Sequence, residues 1–316
     1  MPEISVVIPT RNRWRLLDVC GLRSALGQEG VDHEVIVVDD GSTDETAARL
    51  SSVDDPRLRI LHHEAPAGMA KARNTGIAAA RAEWIAFLDD DDLWSPRKLA
   101  TQLATARATG ADFVYAATVA VDERSTVLEQ LYHPPAQDLR EKLSHACVIP
   151  AGPSNVIARA DLLRSLGGFD ESFVHVADWD LWIRLADAGT PAVCDDVLVA
   201  YHRHGQNIHV VDDPSDEIDA LVRKHASRVS PGPVEPDRVG HSRWLAGQRS
   251  RAGLHRDAAH VYLKSAVRYR SLGNLVRAVD ALLGKRISRT IRSLSGREPA
   301  PQHHVASPDW LRAYAE

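Results

Sequence analysis

Trp84-Ile85-Ala86-Phe87-Leu88-Asp89-Asp90-Asp91-Asp92-Leu93-Trp94 is the stretch that decides the fold. Five apolar residues run directly into four consecutive carboxylates. The apolar part is short, aromatic and β-branched, so it reads as a strand. It does not alternate, which predicts burial on both faces, as in a parallel sheet covered by helices. The carboxylates then stand at the strand's C-terminal end, where open α/β sheets bind their ligands. Four adjacent carboxylates repel one another unless a positive group sits among them. A hard divalent cation with oxygen ligands, itself bridging phosphates, meets that need. A solvated acidic turn that caps a helix is the other reading.

The segments before this stretch repeat its order. Ile4-Ser5-Val6-Val7-Ile8 predicts a first strand, followed by the basic loop Pro9-Thr10-Arg11-Asn12-Arg13 and a helix over 14–26. Glu34-Val35-Ile36-Val37-Val38 predicts a second strand that runs into Asp39-Asp40-Gly41-Ser42-Thr43-Asp44. Gly41 suits a tight turn, and Ser42 or Thr43 could cap a helix over 45–50. A strand over 58–61 and an alanine-rich helix over 68–82, carrying Lys71 and Arg73, complete the approach. After the acidic stretch come a helix over 96–109 and a strand from Phe113. This alternation is the mark of a doubly wound, mostly parallel α/β sheet. Thr10-Arg11, Asp39-Asp40 and Asp89-Asp90-Asp91-Asp92 then converge on one sheet edge. No Gly-x-Gly-x-x-Gly follows the first strand, and there is no Walker motif. A nucleotide here needs its phosphates neutralised otherwise, by a metal on Asp91 with help from Arg11, Lys71 or Arg73.

The middle of the chain is less regular. A short strand is expected over 154–158 and a short helix over 161–166, closed by Gly167-Gly168. Asp178 opens a helix through Leu181, Ile183, Leu185 and Ala186, where the dipole favours a carboxylate by about 0.3–1 kcal/mol. Trp179 and Trp182 either stack on a sugar or pack. Ser154-Asn155 either lines an acceptor site or is structural. Val197 to Tyr201 predicts a last strand, followed by His202-Arg203-His204. His62-His63 and His303-His304 have no spaced partners and read as surface.

The chain has 316 residues, 44% hydrophobic and 26% charged, as expected of a soluble globular protein with an appendage. A net charge of -5 gives no overall attraction to nucleic acid. Three scattered cysteines, Cys20, Cys147 and Cys194, make neither a disulfide framework nor a zinc site. Reduced thiols, no signal-like start and no membrane-length apolar run point to the cytoplasm. The expected organisation is an α/β domain over 1–229, a Pro-rich linker over 230–238, a basic helical region over 239–297 and a poorly ordered tail over 298–316. Arg286, Arg289 and Arg292 fall on one helical face beside Ile287 and Ile291. That face suits an anionic membrane surface, or is simply solvated.

Taken in order, these motifs resemble the family 2 glycosyltransferases of GT-A fold. The likeness rests on Ser5 to Asn12, Val37 to Asp44, Ala72-Arg73-Asn74-Thr75-Gly76-Ile77, Phe87 to Asp92, Gly167-Gly168-Phe169-Asp170 and Asp178 to Arg184. The resemblance implies a metal-dependent inverting transfer of one sugar from a nucleoside-diphosphate sugar to an acceptor hydroxyl. Pro9, Thr10 and Arg11 would line the nucleotide pocket. Asp40, beside Asp39, would accept from a uracil ring, which favours UDP, though dTDP offers the same ring edge. Arg73 would face the base or diphosphate. Asp89-Asp90-Asp91 is the DxD motif, with Asp90 on the ribose and Asp91 on Mn2+ or Mg2+. His204 would be a further metal or diphosphate ligand, and Asp178 the general base. The family often carries Glu where this chain has Ala177, so the support around the base differs. The Gln-x-x-Arg-Trp motif and membrane helices of processive synthases are absent from the sequence.

The acceptor is expected to be a glycan, a lipid-linked sugar or a small molecule. The C-terminal helical region is read as a peripheral contact on the inner membrane surface, a dimer contact or part of the acceptor site. A sugar nucleotidyltransferase would want a glycine-rich loop after the first strand. A catalytically silent nucleotide-sugar or glycan-binding protein is the alternative from another class; Asp91 and Asp178 count against it.

Overall fold

The computed structural model describes residues 1–204, 213–283 and 307–314. They fall into two compact units, one of 1–203, 227–233 and 307–314, the other of 204, 213–226 and 234–283.

The first unit is built on nine strands: β1 (Ile4–Thr10), β2 (His33–Asp39), β3 (Leu58–His62), β4 (Trp84–Phe87), β5 (Leu93–Trp94), β6 (Phe113–Val121), β7 (Val127–Leu131), β8 (Ile157–Arg159) and β9 (Pro191–His202). The sheet runs β3-β2-β1-β4-β8-β6-β9-β5, with β7 paired to the later part of β6, Thr118 to Val121. β3, β2, β1 and β4 are mutually parallel, as the apolar, non-alternating strands predict. Every residue of β1, β2 and β4 is buried. Beyond β4 the sheet is mixed: β8 is antiparallel to β4 and β6, while β6 and β9 are parallel. The irregular middle of the chain therefore adds strands to the same sheet.

Gly76 shows how closely a helix lies on this sheet. In the helix Met69–Ala79, a Cβ at Gly76 would stand 2.2 Å from Val7 Cγ1 of β1. A glycine there lets the helix approach, and the helix carries Arg73 one turn earlier towards the end of β4.

Several local expectations change. The helical run over 14–26 contains a π-helical turn at Leu17–Leu22. Neither Ser42 nor Thr43 caps the next helix, which starts at Thr46; Asp44 Oδ1 instead accepts from the Thr46 amide at 2.9 Å. Gly152–Asn155 is a 3-10 turn, and strand structure begins only at Ile157. Asn155 is fully buried because its side-chain amide pairs with both backbone groups of Ala116, at 2.8 Å each. β9 starts earlier than the pattern predicts and carries register shifts opposite Ala116 to Thr118.

Within the expected tail, 307–314 depart from expectation, while 298–306 and 315–316 lie outside the described residues. Asp309–Tyr314 forms a 3-10 turn on the first unit, with Leu311 packed among Val119, Val121 and Ala200. Trp310 Nε1 donates to the Val197 carbonyl at 2.9 Å. A short apolar cluster in a polar tail was enough to dock it.

The second unit is helical: Ser215–Lys224, Arg238–Arg251, His255–Arg268 and Leu272–Leu283. Leu245, Ala246, Ala258 and Val261 form its core. The expected first domain ended at residue 229, yet Ser215–Lys224 belongs to this unit. Asp219 draws it in by pairing with Arg238 at 2.5 Å and Arg268 at 3.0 Å. The expected basic face at Arg286, Arg289 and Arg292 lies outside the described residues. Among the described residues, no helix is long and apolar enough to cross a membrane.

Candidate active site

The parallel order β2-β1-β4 brings the three polar strand ends together. Thr10 Oγ1, ending β1, donates to Asp90 Oδ2 at 2.8 Å. The Asp40 amide donates to the Thr10 carbonyl at 2.9 Å. Pro9 lies within β1, with Thr10 buried and Arg11 exposed beyond it. Asn12 then turns left-handed, with φ 53°, where Asn is among the more tolerant residues. Its side-chain oxygen accepts from the Thr43 amide at 2.7 Å, tying the β1 loop to the β2 loop.

That turn sends Arg13 back over the acidic stretch. Its Nη1 lies 3.0 Å from Asp90 Oδ1 and 2.9 Å from Asp91 Oδ2. The positive group that four adjacent carboxylates require is thus supplied by the chain itself. Even so, burial first and then the Asp91 charge push the Asp90 carboxyl up, against the pull of Arg13 and Thr10. Asp92 is buried too, with its pKa raised by burial and by Asp91 and Asp89. Its Oδ1 accepts from the His202 amide at 3.1 Å.

Arg73 and Asp89 form a second ion pair at 2.5 Å. Arg73 is buried, its guanidinium lying over the Phe169 ring at 5.2 Å. Asn74 fixes that ring by exchanging two hydrogen bonds with the Phe169 backbone, at 2.9 and 2.8 Å. Arg184 closes the same loop, donating to the Leu166 and Gly168 carbonyls at 2.9 and 2.8 Å while pairing with fully buried Asp180. Three of the sequence motifs, around Arg73, Gly168 and Asp178, are therefore one network.

Asp178 lies in the first turn of the helix Ala177–Ala188. Its Oδ1 accepts from the Trp179 amide at 2.7 Å. A Cβ at Gly152, where φ is +46°, would come within 2.9 Å of Asp178 Oδ2, so a side chain there would crowd that oxygen. Burial raises the Asp178 pKa; the Trp179 amide and the Arg73 charge oppose it, and the Asp89 charge adds to it. Asp178, Arg73 and Asp89 are thus within electrostatic reach of one another. Cys147 Sγ stands 3.9 Å from Asp178 Oδ2.

Other expectations resolve by packing. Trp179 and Trp182 are both core residues, and Trp179 Nε1 donates to the Leu143 carbonyl at 2.8 Å. Ser154 is buried and supports the acidic stretch, its Oγ accepting from the Asp89 amide at 3.0 Å. His62 is exposed, as expected, and His63 is half-buried, but each has a carboxylate partner. His62 Nδ1 meets Asp39 Oδ2 at 3.0 Å, and His63 Nδ1 meets Asp40 Oδ1 at 2.8 Å. Asp40 also accepts from the Ala67 and Gly68 amides at 2.8 and 2.9 Å. Three of a carboxylate's roughly four acceptor positions are therefore in use.

Hard carboxylate oxygens suit Mn2+ or Mg2+. Among the described residues, no three His, Cys, Asp or Glu side chains come together as a ready cage. His202 is the histidine at the cluster, its Nδ1 2.7 Å from the Asp91 carbonyl oxygen. His204, two residues on, falls in the second unit.

The family model described as "Glycosyl transferase family 2" matches residues 5–162, half of the chain. The chain is a family 2 glycosyltransferase. The match takes in β1, β2, β4 and the acidic stretch, and it removes the nucleotidyltransferase reading. The glycosyltransferase is 40% identical over 127 residues to the succinoglycan biosynthesis protein ExoO of Rhizobium meliloti (strain 1021), covering 40% of this chain and 34% of that protein. It is 30% identical over 182 residues to the UDP-Glc:alpha-D-GlcNAc-diphosphoundecaprenol beta-1,3-glucosyltransferase WfgD of Escherichia coli, covering 58% and 69%. The chain thus spans about a third of the first relative's length. Staphylococcus aureus TarS 1-349, solved in complex with UDP-GlcNAc, aligns with TM-score 0.55 at 19% identity over 84% of this chain and 73% of that one. The mannosyltransferase PcManGT of Pyrobaculum calidifontis, solved with GDP-Man and Mn2+, aligns with TM-score 0.53 at 20% identity over 99% and 86%. These likenesses establish the GT-A fold of the glycosyltransferase.

Arg13, Asn12, Asn74 and His63 are the site residues that sequence reasoning missed. For Arg13 a signal was present: four carboxylates need a cation, and a basic loop stands at the neighbouring strand end.

Proposed function

We propose that this glycosyltransferase transfers one sugar, with inversion, from a nucleoside-diphosphate sugar to an acceptor hydroxyl, with Asp178 as general base. UDP is the favoured carrier and dTDP the alternative. The observation that carries this reading is that Asp178 lies within electrostatic reach of the Arg73–Asp89 ion pair, beside the strand end that also holds Asp90 and Asp91. A carboxylate with its pKa raised by burial suits proton abstraction from a hydroxyl. Inversion needs one such base and no covalent intermediate, and Asp178, on a separate helix from the acidic stretch, is proposed for that role.

Thr10, Asp39 and Asp40 are proposed to form the nucleoside side of the pocket, with Pro9 and Arg11 at its rim. Arg73 would counter diphosphate charge, and Asp90 would reach the ribose. Asp91 is proposed to hold Mn2+ or Mg2+. A bound cation would stabilise negative charge on the departing diphosphate. PcManGT, solved with Mn2+, and TarS, solved with UDP-GlcNAc, are the likenesses that favour this assignment.

Calorimetric titration of UDP and dTDP, with and without Mn2+, tests the donor site. The expected result is metal-dependent binding of one nucleotide, lost in Asp91→Asn. Binding that ignores both metal and substitution would remove Asp91 from its role.

For the acceptor we infer a sugar carried on a lipid at an anionic membrane surface. The name of WfgD places its own acceptor on diphosphoundecaprenol. In the second unit Leu272, Leu275, Val276, Val279 and Leu282 are all exposed, and their spacing puts them on one helical face. The sequence then adds Lys285, Arg286, Arg289, Arg292 and Arg297. An apolar stripe followed by cations suits an anionic headgroup layer. The protein is expected to co-sediment with phosphatidylglycerol vesicles but not phosphatidylcholine vesicles, and Val276→Asp should weaken this. No sedimentation, with a dimer in equilibrium ultracentrifugation, would assign the face to a second copy.

A further inference from the structure

Arg13 has a geometry that its place in a loop does not demand. One nitrogen, Nη1, lies within 3.0 Å of carboxylate oxygens from two successive residues, Asp90 and Asp91. Both carboxylates are nearly enclosed, while the Arg13 side chain remains 26% exposed. The backbone is set for this reach. Left-handed Asn12 reverses the chain and is pinned to the β2 loop through Ser42 Oγ at 2.9 Å and the Thr43 amide at 2.7 Å. The Arg13 carbonyl accepts from the Leu17 amide at 3.0 Å, fixing the other side. The arm is therefore held between the loop of β2 and the acidic end of β4.

We propose that Arg13 is the resident counter-cation of the acidic cluster and competes with the divalent cation for Asp90 and Asp91. The inference rests on the metal reading above and deepens it. A guanidinium pairs with carboxylates and with phosphate oxygens equally well. Without donor, Arg13 neutralises the two carboxylates and lowers their affinity for a free cation. With a nucleoside diphosphate present, the guanidinium can exchange its carboxylates for phosphate oxygens. Asp91 is then released to the cation that arrives with the donor. Affinity for the cation alone is reduced by the fraction of molecules in which Arg13 holds the site. The consequence is ordered loading: the cation binds tightly only with nucleotide.

The test is Mn2+ titration of the whole chain by electron paramagnetic resonance, without and with UDP, on wild type, Arg13→Gln, Arg13→Lys and Asp91→Asn. Arg13→Gln is expected to bind Mn2+ about tenfold more tightly than wild type without nucleotide, equivalent to about 1.4 kcal/mol. Its gain in Mn2+ affinity on adding UDP should shrink correspondingly. Arg13→Lys, which keeps a cation but not the planar fork, should fall between; it serves alone if the Gln variant does not fold. In EDTA, Arg13→Gln should unfold at a lower temperature than wild type, with Mn2+ restoring the difference. Unchanged or weaker nucleotide-free Mn2+ binding in folded Arg13→Gln, with wild-type binding lost in Asp91→Asn, would overturn the Arg13 proposal and leave the metal reading standing. Mn2+ binding in neither protein, with or without UDP, would overturn the metal reading and this proposal together.

Discussion

Asp178→Asn is expected to lower turnover about 10²- to 10⁴-fold, the contribution of a positioned base, or about 3–5 kcal/mol of barrier. Nucleotide affinity and thermal midpoint should stay near wild type. The substitution keeps an oxygen to accept from the Trp179 amide, which Asp178 Oδ1 now does at 2.7 Å. What is lost is the capacity to take a proton. The pH dependence should carry the same signature. The base works only as a carboxylate, so turnover rises with pH through its pKa. Burial raises that pKa, with the Asp89 charge adding to it and the Trp179 amide and Arg73 opposing. The acid limb is therefore expected above the ordinary aspartate value of about 3.9, and Asp178→Asn should abolish it. Single-turnover rates across the acid range would measure both. A variant that retains wild-type turnover would remove Asp178 from the base position.

Lys98→Met should stabilise the protein. Lys98 opens the helix Lys98–Thr109 and is completely buried, its Nζ 3.7 Å from the centre of the Trp94 ring. Among the described residues no hydrogen-bond acceptor meets that nitrogen. Desolvation lowers its pKa well below the usual lysine value. A positive charge also opposes the dipole at a helix N-terminus. Methionine keeps the length and apolar stem without the ammonium. The gain should be about 1–4 kcal/mol, the scale on which well-packed apolar side chains improve on buried charges.

The sign of the pH dependence follows from the depressed pKa. Between the native value and the unfolded value of about 10.4, the unfolded chain binds the extra proton. Wild-type stability therefore rises with pH across that window, and below the native value the penalty is constant. Urea denaturation near pH 7 and again near pH 9.5 should show the advantage of Lys98→Met narrowing at the higher pH. A variant less stable than wild type at both would mean that the contact with Trp94 outweighs desolvation.

Lys98 is instructive because nothing local marks it as buried. In Ser95-Pro96-Arg97-Lys98-Leu99 it reads as an ordinary helix-start cation. Its burial depends on how that helix meets the far half of the sheet, where β9 and β5 pair.

The parallel half of the fold and the edge where the site lies are legible in the amino-acid order. Unbroken apolar runs over β1, β2 and β4, each followed by a polar loop, are local signals, and parallel pairing of neighbouring strands aligns their ends. The position of Asp178 at a helix start was legible for the same reason. Folding in three dimensions settles which charges meet. Arg13 and Asp90 are 77 residues apart, His63 and Asp40 23 apart, and Asn74 and Phe169 95 apart. It also decided that Trp179 and Trp182 are core, that Ser215–Lys224 joins the helical unit, and that Trp310 and Leu311 dock the tail. Periodicity reports how a segment meets water over a few residues. Pairings between distant loops depend on how strands and helices close around them, and no short window of sequence contains that.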